Sequence, residues 1–256
     1  VRCPGIRKDG QTMVRQAMKP RYFPVRGAGH GFTLMEILVA FFLFGLIISV
    51  LFGSYTGVLH SVEATRETVS IYETARMCLE RIILDLESVQ VTMEPGYRPP
   101  DTDSPKDLHR VVGDMSETGN GQFSRLSFSS RAHVDLGGED RQGVARIRYY
   151  VTQDPEQPES YVLRRYDTLH MALSEAEEQE SRNDPILCER VVAFVCRYYD
   201  QEGQLHESWD SDDDNQGYAT PRMVEVSLEM GNAQETETAP LRFVTRIQLP
   251  IYRDAS

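Results

Sequence analysis

One carboxylate, Glu36, stands at the head of a stretch, Ile37–Val62, that holds no Asp, Glu, Lys or Arg in 26 positions. An acid at the edge of a hydrocarbon core is costly unless something neutralises it, and such residues mark function. The segment leading into the stretch reads Gly31-Phe32-Thr33-Leu34-Met35-Glu36. An ordinary secretory signal is cut after its apolar run, beside small residues. Here the small, flexible residues Gly27-Ala28-Gly29-His30-Gly31 come before the run instead. Cleavage after Gly31 would create a new amine on Phe32, four residues from Glu36, which that amine could neutralise within the subunit or in a neighbour. The chemistry these residue types could do is pairing of such a freed amine with a carboxylate.

Other reactive residue types form weaker patterns. Asp210, Asp212 and Asp214 stand in the D-x-D-x-D order of a calcium loop, but Asn215 occupies the loop's glycine position and Pro221 its closing glutamate. A solvated acidic loop is the expectation, with no metal. The histidines His30, His60, His109, His133, His170 and His206 lack zinc spacing. With no G-x-S-x-G and no Cys/His grouping that promotes a nucleophile, neither an enzyme nor a cofactor is expected. The glycines before Phe32 resemble a dinucleotide fingerprint, yet no strand precedes them and an apolar helix follows. Cys3 falls in the basic N-terminal segment. Cys188 and Cys196 flank an expected strand of about 26 Å, beyond disulfide reach. Cys78 could meet either one in an oxidising compartment, or all three could be buried free thiols. Tyr198, Tyr199 and Trp209 read as core aromatics rather than a binding surface.

The apolar run would extend roughly 39 Å as a helix, enough to cross a bilayer with some tilt. No proline interrupts the chain between Pro24 and Pro95, so nothing stops the helix at the membrane surface. Beyond it Val62, Val69, Tyr72, Ala75, Leu79, Ile82, Ile83, Leu86 and Val89 recur at three- and four-residue steps among charged residues, which predicts an amphipathic continuation. The expected organisation is a basic leader over 1–31, a membrane-spanning and assembly helix over 32–62, its amphipathic continuation over 63–93, and a head over 94–256. Residues 94–122, rich in Pro, Gly, Asp and Ser, are expected to be loop. Strands are expected at Phe123–Ser129, Val144–Val151, Tyr161–Tyr166, Arg190–Tyr199, Met223–Met230 and Leu241–Tyr252. Turns are expected at 137–143, 153–160 and 200–204; Ser174–Arg182 suits either a short helix or a loop. The fold class is α+β, one long N-terminal helix packed on an antiparallel sheet.

Charge sets the direction. The formal net charge is −12, yet residues 1–31 hold seven basic residues and one acid, leaving 20 basic and 38 acidic residues beyond them. Basic residues before the apolar run keep the N-terminus cytoplasmic and send the head across the membrane. So acidic a head is not expected to bind nucleic acid.

The stretch from Gly31 to Glu36 resembles the type IV pilin-like family. The resemblance implies that a membrane prepilin peptidase cuts after Gly31 and that Phe32 is N-methylated, with Glu36 serving assembly. The helix segment Cys78-Leu79-Glu80-Arg81-Ile82-Ile83-Leu84-Asp85-Leu86 is similar to that of the J-type minor pseudopilins of type II secretion. So are Ile147-Arg148-Tyr149-Tyr150-Val151 with Leu163-Arg164-Arg165, and Phe194–Asp200 followed by Gly203, Trp209, Pro221 and Val224-Glu225-Val226. The resemblance implies a non-enzymatic subunit at the tip of a short periplasmic pseudopilus, partnered by the I, K and possibly H minor pseudopilins and possibly by a secreted cargo protein. It implies a single-pass protein of the inner membrane whose head is periplasmic, joining the pseudopilus after assembly. The acidic residues around Asp210–Asp214 are an insertion, and the basic leader is long for the family, so Met13 or Met18 is the expected start of translation. A minor pilin of a type IV pilus is the alternative, and a membrane-anchored periplasmic receptor or hydrolase a more distant one.

Overall fold

A computed structural model describes residues 31–100, 106–116, 121–134, 142–169, 183–231 and 239–255. The leader up to residue 30, with Cys3 and His30, lies outside them. So do Ser174–Arg182, His170 and most of the turn expected at 137–143. The chain forms two compact units, 1–58 and 59–256, and one helix, α1 (Leu34–Glu87), supplies residues to both.

In the first unit α1 opens as an apolar rod. Leu34–Thr56 has a mean hydropathy of 2.7, and none of it is buried. It is long and apolar enough to cross a membrane, and its full exposure is not that of a soluble protein's core helix.

In the second unit α1 becomes one-sided. Ile71, Ala75, Cys78, Ile82 and Leu86 are all buried, and their steps of three and four put them on a single stripe. Tyr72 borders it, edge-on to Phe243 at 5.1 Å between ring centroids. Arg76 and Glu80 pair at 2.7 Å on the open face. The helix ends at Glu87, short of the expected 93. Val89 fits a helical step from Leu86, but Val89 and Val91 are both buried with the less buried Gln90 between them. That is a period of two, and β1 (Val89–Gln90) pairs with Ser129 and Ser130 of β3 (Ser124–Ser130). Two β-branched residues separated by one position suit a pleated edge better than another helical turn.

The remaining strands are β2 (Val112–Met115), β4 (Ala145–Gln153), β5 (Tyr161–Thr168), β6 (Ile186–Cys188), β7 (Val191–Tyr199), β8 (Leu205–His206), β9 (Trp209–Asp210), β10 (Met223–Met230) and β11 (Leu241–Gln248). Among the described residues they form two sheets, ordered β6-β5-β4-β3-β2-β9 (with β1 also on β3) and β11-β10-β7-β8. The pairings within both are antiparallel. The sheets join where Phe123 bridges Phe194, and the Cys196 amide donates to Ser124 Oγ at 2.9 Å. The layout is α+β, as expected.

All six expected strands are present, with ends within two residues of those expected except at the C-terminal end of the last. The last stops at Gln248 because Pro250 has no N–H for a ladder. The expected loop 94–122 contains an unforeseen strand, β2, whose Gly113 and Asp114 are poor strand formers. Gly113 is there for space: a Cβ would lie 1.7 Å from the Tyr198 hydroxyl. Tyr198 and Trp209 are buried, as expected of core aromatics.

Candidate functional site

The start of α1 brings Phe32 and Glu36, two of the residues expected to serve processing and assembly, onto one groove. The Glu36 amide donates to Thr33 Oγ1 at 3.3 Å and to the Thr33 carbonyl at 3.0 Å. Thr33 is thus the N-cap and Glu36 the third helical residue, in the T-x-x-E order of a capping box. A carboxylate there also faces the positive end of the helix dipole. This local reason for an acid was missed in the sequence, although Thr33 three positions ahead of Glu36 was its signal. Phe32, just before the cap, is 79% exposed. Phe32, Glu36, Ala40 and Phe44, with Ile37 and Phe41, line one shallow groove, as four-residue spacing dictates. Glu36 is the sole acid on that groove, and the residue whose amine would be freed lies on the same face.

In the second unit, the helix segment and the strand pair that carried the family resemblance meet at Asp85. Its carboxylate is fully buried. Arg165 on β5 grips it with two bonds, Nε to Oδ2 at 2.7 Å and Nη2 to Oδ1 at 3.2 Å. Arg81, one helical turn earlier, reaches Oδ1 at 2.5 Å, and the Tyr149 hydroxyl on β4 donates to Oδ2. Arg165 continues to Asp167 at 2.6 Å, and Asp167 takes His133 Nδ1 at 2.6 Å and the Val134 amide at 2.9 Å. Burial acts to lower the Arg165 pKa, but the bonds and charge of Asp85 outweigh it and raise the pKa above the ordinary value. Burial, then Asp85, pushes Tyr149 well up. Both side chains therefore keep their protons and remain donors. This network orients α1 on the sheet.

The acidic run does not form a shared ligand set. Asp212 is turned inward, taking the Tyr97 hydroxyl at 3.0 Å and the Asp107 amide at 2.6 Å. Arg253 lies beside it at 3.7 Å. Asp210 faces Lys106 and Arg110 at 3.8 and 3.9 Å, and Asp214 begins a single 3-10 turn capped by Asp213. The expectation of a wholly solvated loop thus fails at Asp212, because Arg253 supplies a buried counter-charge. Arg253 also donates to the carbonyls of Thr92, Tyr218 and Ser211 at 2.9, 2.7 and 2.7 Å. Nothing local in the sequence marks Arg253 for that role, since its partners lie 35 to 161 residues away. Among the described residues no three His, Cys, Asp or Glu side chains cluster as metal ligands. His206 pairs with Asp200 at 2.8 Å, and burial lowers the pKa of His109. His60 lies in α1, outside the described side chains.

No curated protein matches the chain. The family model of type II secretion system (T2SS) protein J matches residues 53–241, which is 189 of the 256 residues. That span includes Arg81, Asp85, Tyr149 and Arg165, and begins after Gly31, Phe32 and Glu36. A match over most of its length makes this chain a member of the type II secretion system protein J family, a structural pseudopilin.

Proposed function

We propose that this chain is a minor pseudopilin made as a membrane precursor, cut by prepilin peptidase after Gly31 and N-methylated on Phe32. It is then drawn into the tip of a short periplasmic pseudopilus, where it helps to start assembly for protein export. The observation that carries this reading is the first turn of α1. Phe32 and Glu36 share one groove on a helix segment whose apolar surface is uncovered. The segment crosses the inner membrane with the basic leader inside and the acidic head in the periplasm, an orientation supported by the charge distribution. On assembly, lipid contacts give way to the helices of neighbouring subunits. Glu36 exchanges solvation at the membrane edge for pairing with a Phe32 amine, its own or a neighbour's.

The partners under this reading are the peptidase and the I, K and possibly H minor pseudopilins, with exported cargo as a further contact. Support from the family match is independent of the cleavage motif, since the matched residues start at 53. The test is Glu36→Val in a secreting strain. The variant is expected to be cut normally and to accumulate in the membrane, with secretion of cargo falling at least tenfold. Secretion at the wild-type level would overturn the assembly role of Glu36.

A further inference from the structure

Two cysteines far apart in sequence meet inside the second unit. Cys78 lies in the buried stripe of α1 and is fully covered, while Cys188 ends β6 and is 2% exposed. Their sulfurs are 3.1 Å apart, with the Cys188 thiol donating to Cys78 Sγ. Cys196, the third described cysteine, is placed differently. It stands on β7 opposite Val226, with its thiol pushed up to about 12 by burial. The sequence alone left Cys78 free to meet either partner; the fold has chosen Cys188.

We infer that Cys78 and Cys188 are a disulfide-forming pair that staples the edge of the larger sheet to the helix. The strand it would secure is short and thinly held. β6 has three residues, pairs with β5 at only Leu163–Cys188 and Arg164–Ile186, and shifts register between them. Closing a bond across 110 residues of sequence removes much freedom from the unfolded chain. The oxidant is a disulfide donor, a thiol oxidoreductase or oxidised glutathione. One sulfur attacks the donor, releasing a donor thiol and leaving a mixed disulfide; the second sulfur then displaces the other donor thiol. Two electrons pass to the donor, whose S–S bond breaks as the Cys78–Cys188 bond forms, and the two cysteine protons end on the donor thiols or in water.

The bond forms before the helix seats on the sheet. In the folded unit neither sulfur is reachable, and contact with Cys188 together with burial holds the Cys78 thiol far above its ordinary value, so the attacking thiolate is scarce. That the surroundings are oxidising rests on the exported-head reading; that the two thiols pair does not.

The test uses the full chain in detergent. Reduced, urea-unfolded chain is returned to detergent in a buffer of oxidised and reduced glutathione, then denatured with excess maleimide, and its peptides are mapped by mass spectrometry. The expected result is a linked Cys78–Cys188 peptide two hydrogens lighter than the separate thiols, with Cys196 alkylated. Cys196→Ala is expected to leave the link intact, and Cys78→Ala and Cys188→Ala each to abolish it. Reduction is expected to lower the Tm of the wild type by about 5–10 °C and to leave Cys188→Ala unchanged. Full alkylation of both Cys78 and Cys188 after refolding, or a link from either to Cys196, overturns the inference. Chain taken directly from cells should carry the same link. Free thiols there, with the link still forming on refolding, would count against export of the head while the pairing stands.

Discussion

Asp85 is the residue on which the second unit is most exposed to change. Four donor atoms from Arg81, Tyr149 and Arg165 converge on one buried carboxylate. Removing it would leave two guanidinium groups without their central counter-charge. Breaking a buried pair of this kind costs about 3–5 kcal/mol, so Asp85→Ala is expected to lose that much stability in urea titrations followed by Trp209 fluorescence. Trp209 is the only tryptophan and is buried beside β2. Tyr149→Phe, which deletes one donor, should cost about 1–2 kcal/mol. An Asp85→Ala variant as stable as the wild type would mean that the network contributes little. Glu225 sets a pH dependence. The Arg246 bond, opposed by burial and joined by Arg197 and Tyr199, holds its carboxyl below the usual value. A depressed carboxylate contributes stability that is complete above its unfolded pKa of about 4.3 and is lost as pH falls through the lower folded value. Stability should therefore decline below about pH 4, and the decline should be shallower in Glu225→Gln; equal acid slopes would exclude this pairing as a cause.

At the scale of elements, what could be read from the sequence followed the range of the interaction. The stripe Ile71, Ala75, Cys78, Ile82 and Leu86 announces itself because helical period and burial coincide. The long strands do so because their β-branched and aromatic runs are bounded by turn residues. Val89 is ambiguous because its spacing from Leu86 suits a helix and its spacing from Val91 a strand; only pairing with β3 decides. β2 was hidden by Gly113 and Asp114, which look like loop until the Tyr198 hydroxyl is seen resting where a Cβ would be. Gly113→Ala therefore tests β2 directly. A side chain there must displace Tyr198 or part β2 from β9, at a cost of about 1–3 kcal/mol, and the Trp209 emission of the folded state should shift. An unchanged urea midpoint would show that this close approach is relaxed at no cost. The candidate site divides the same way. Glu36 stood out because an acid heading an apolar run is anomalous, and its cap by Thr33 was readable too. The Asp85–Arg165 and Asp212–Arg253 pairs join residues 80 and 41 positions apart, beyond any local signal.

Across the whole molecule, two chemistries are kept in separate places along the chain. Residues 34–56 carry an apolar surface that water does not tolerate, so a bilayer or other helices must cover it. Among the described residues of the second unit, Asp85 with Arg165 and Asp212 with Arg253 hold their charges in buried networks. The protein J family match begins only at residue 53, so the membership of the head and the fate of the N-terminus are independent questions. The proposed route depends on the bond between Gly31 and Phe32 being cut. The most direct test is mass spectrometry of the N-terminal peptide, from the membrane fraction of wild-type cells and of cells lacking prepilin peptidase. The expected mature terminus is N-methylated Phe32 in the first and an intact basic leader, unmethylated at Phe32, in the second. A wild-type chain that still carries residues ahead of Phe32 would contradict the account.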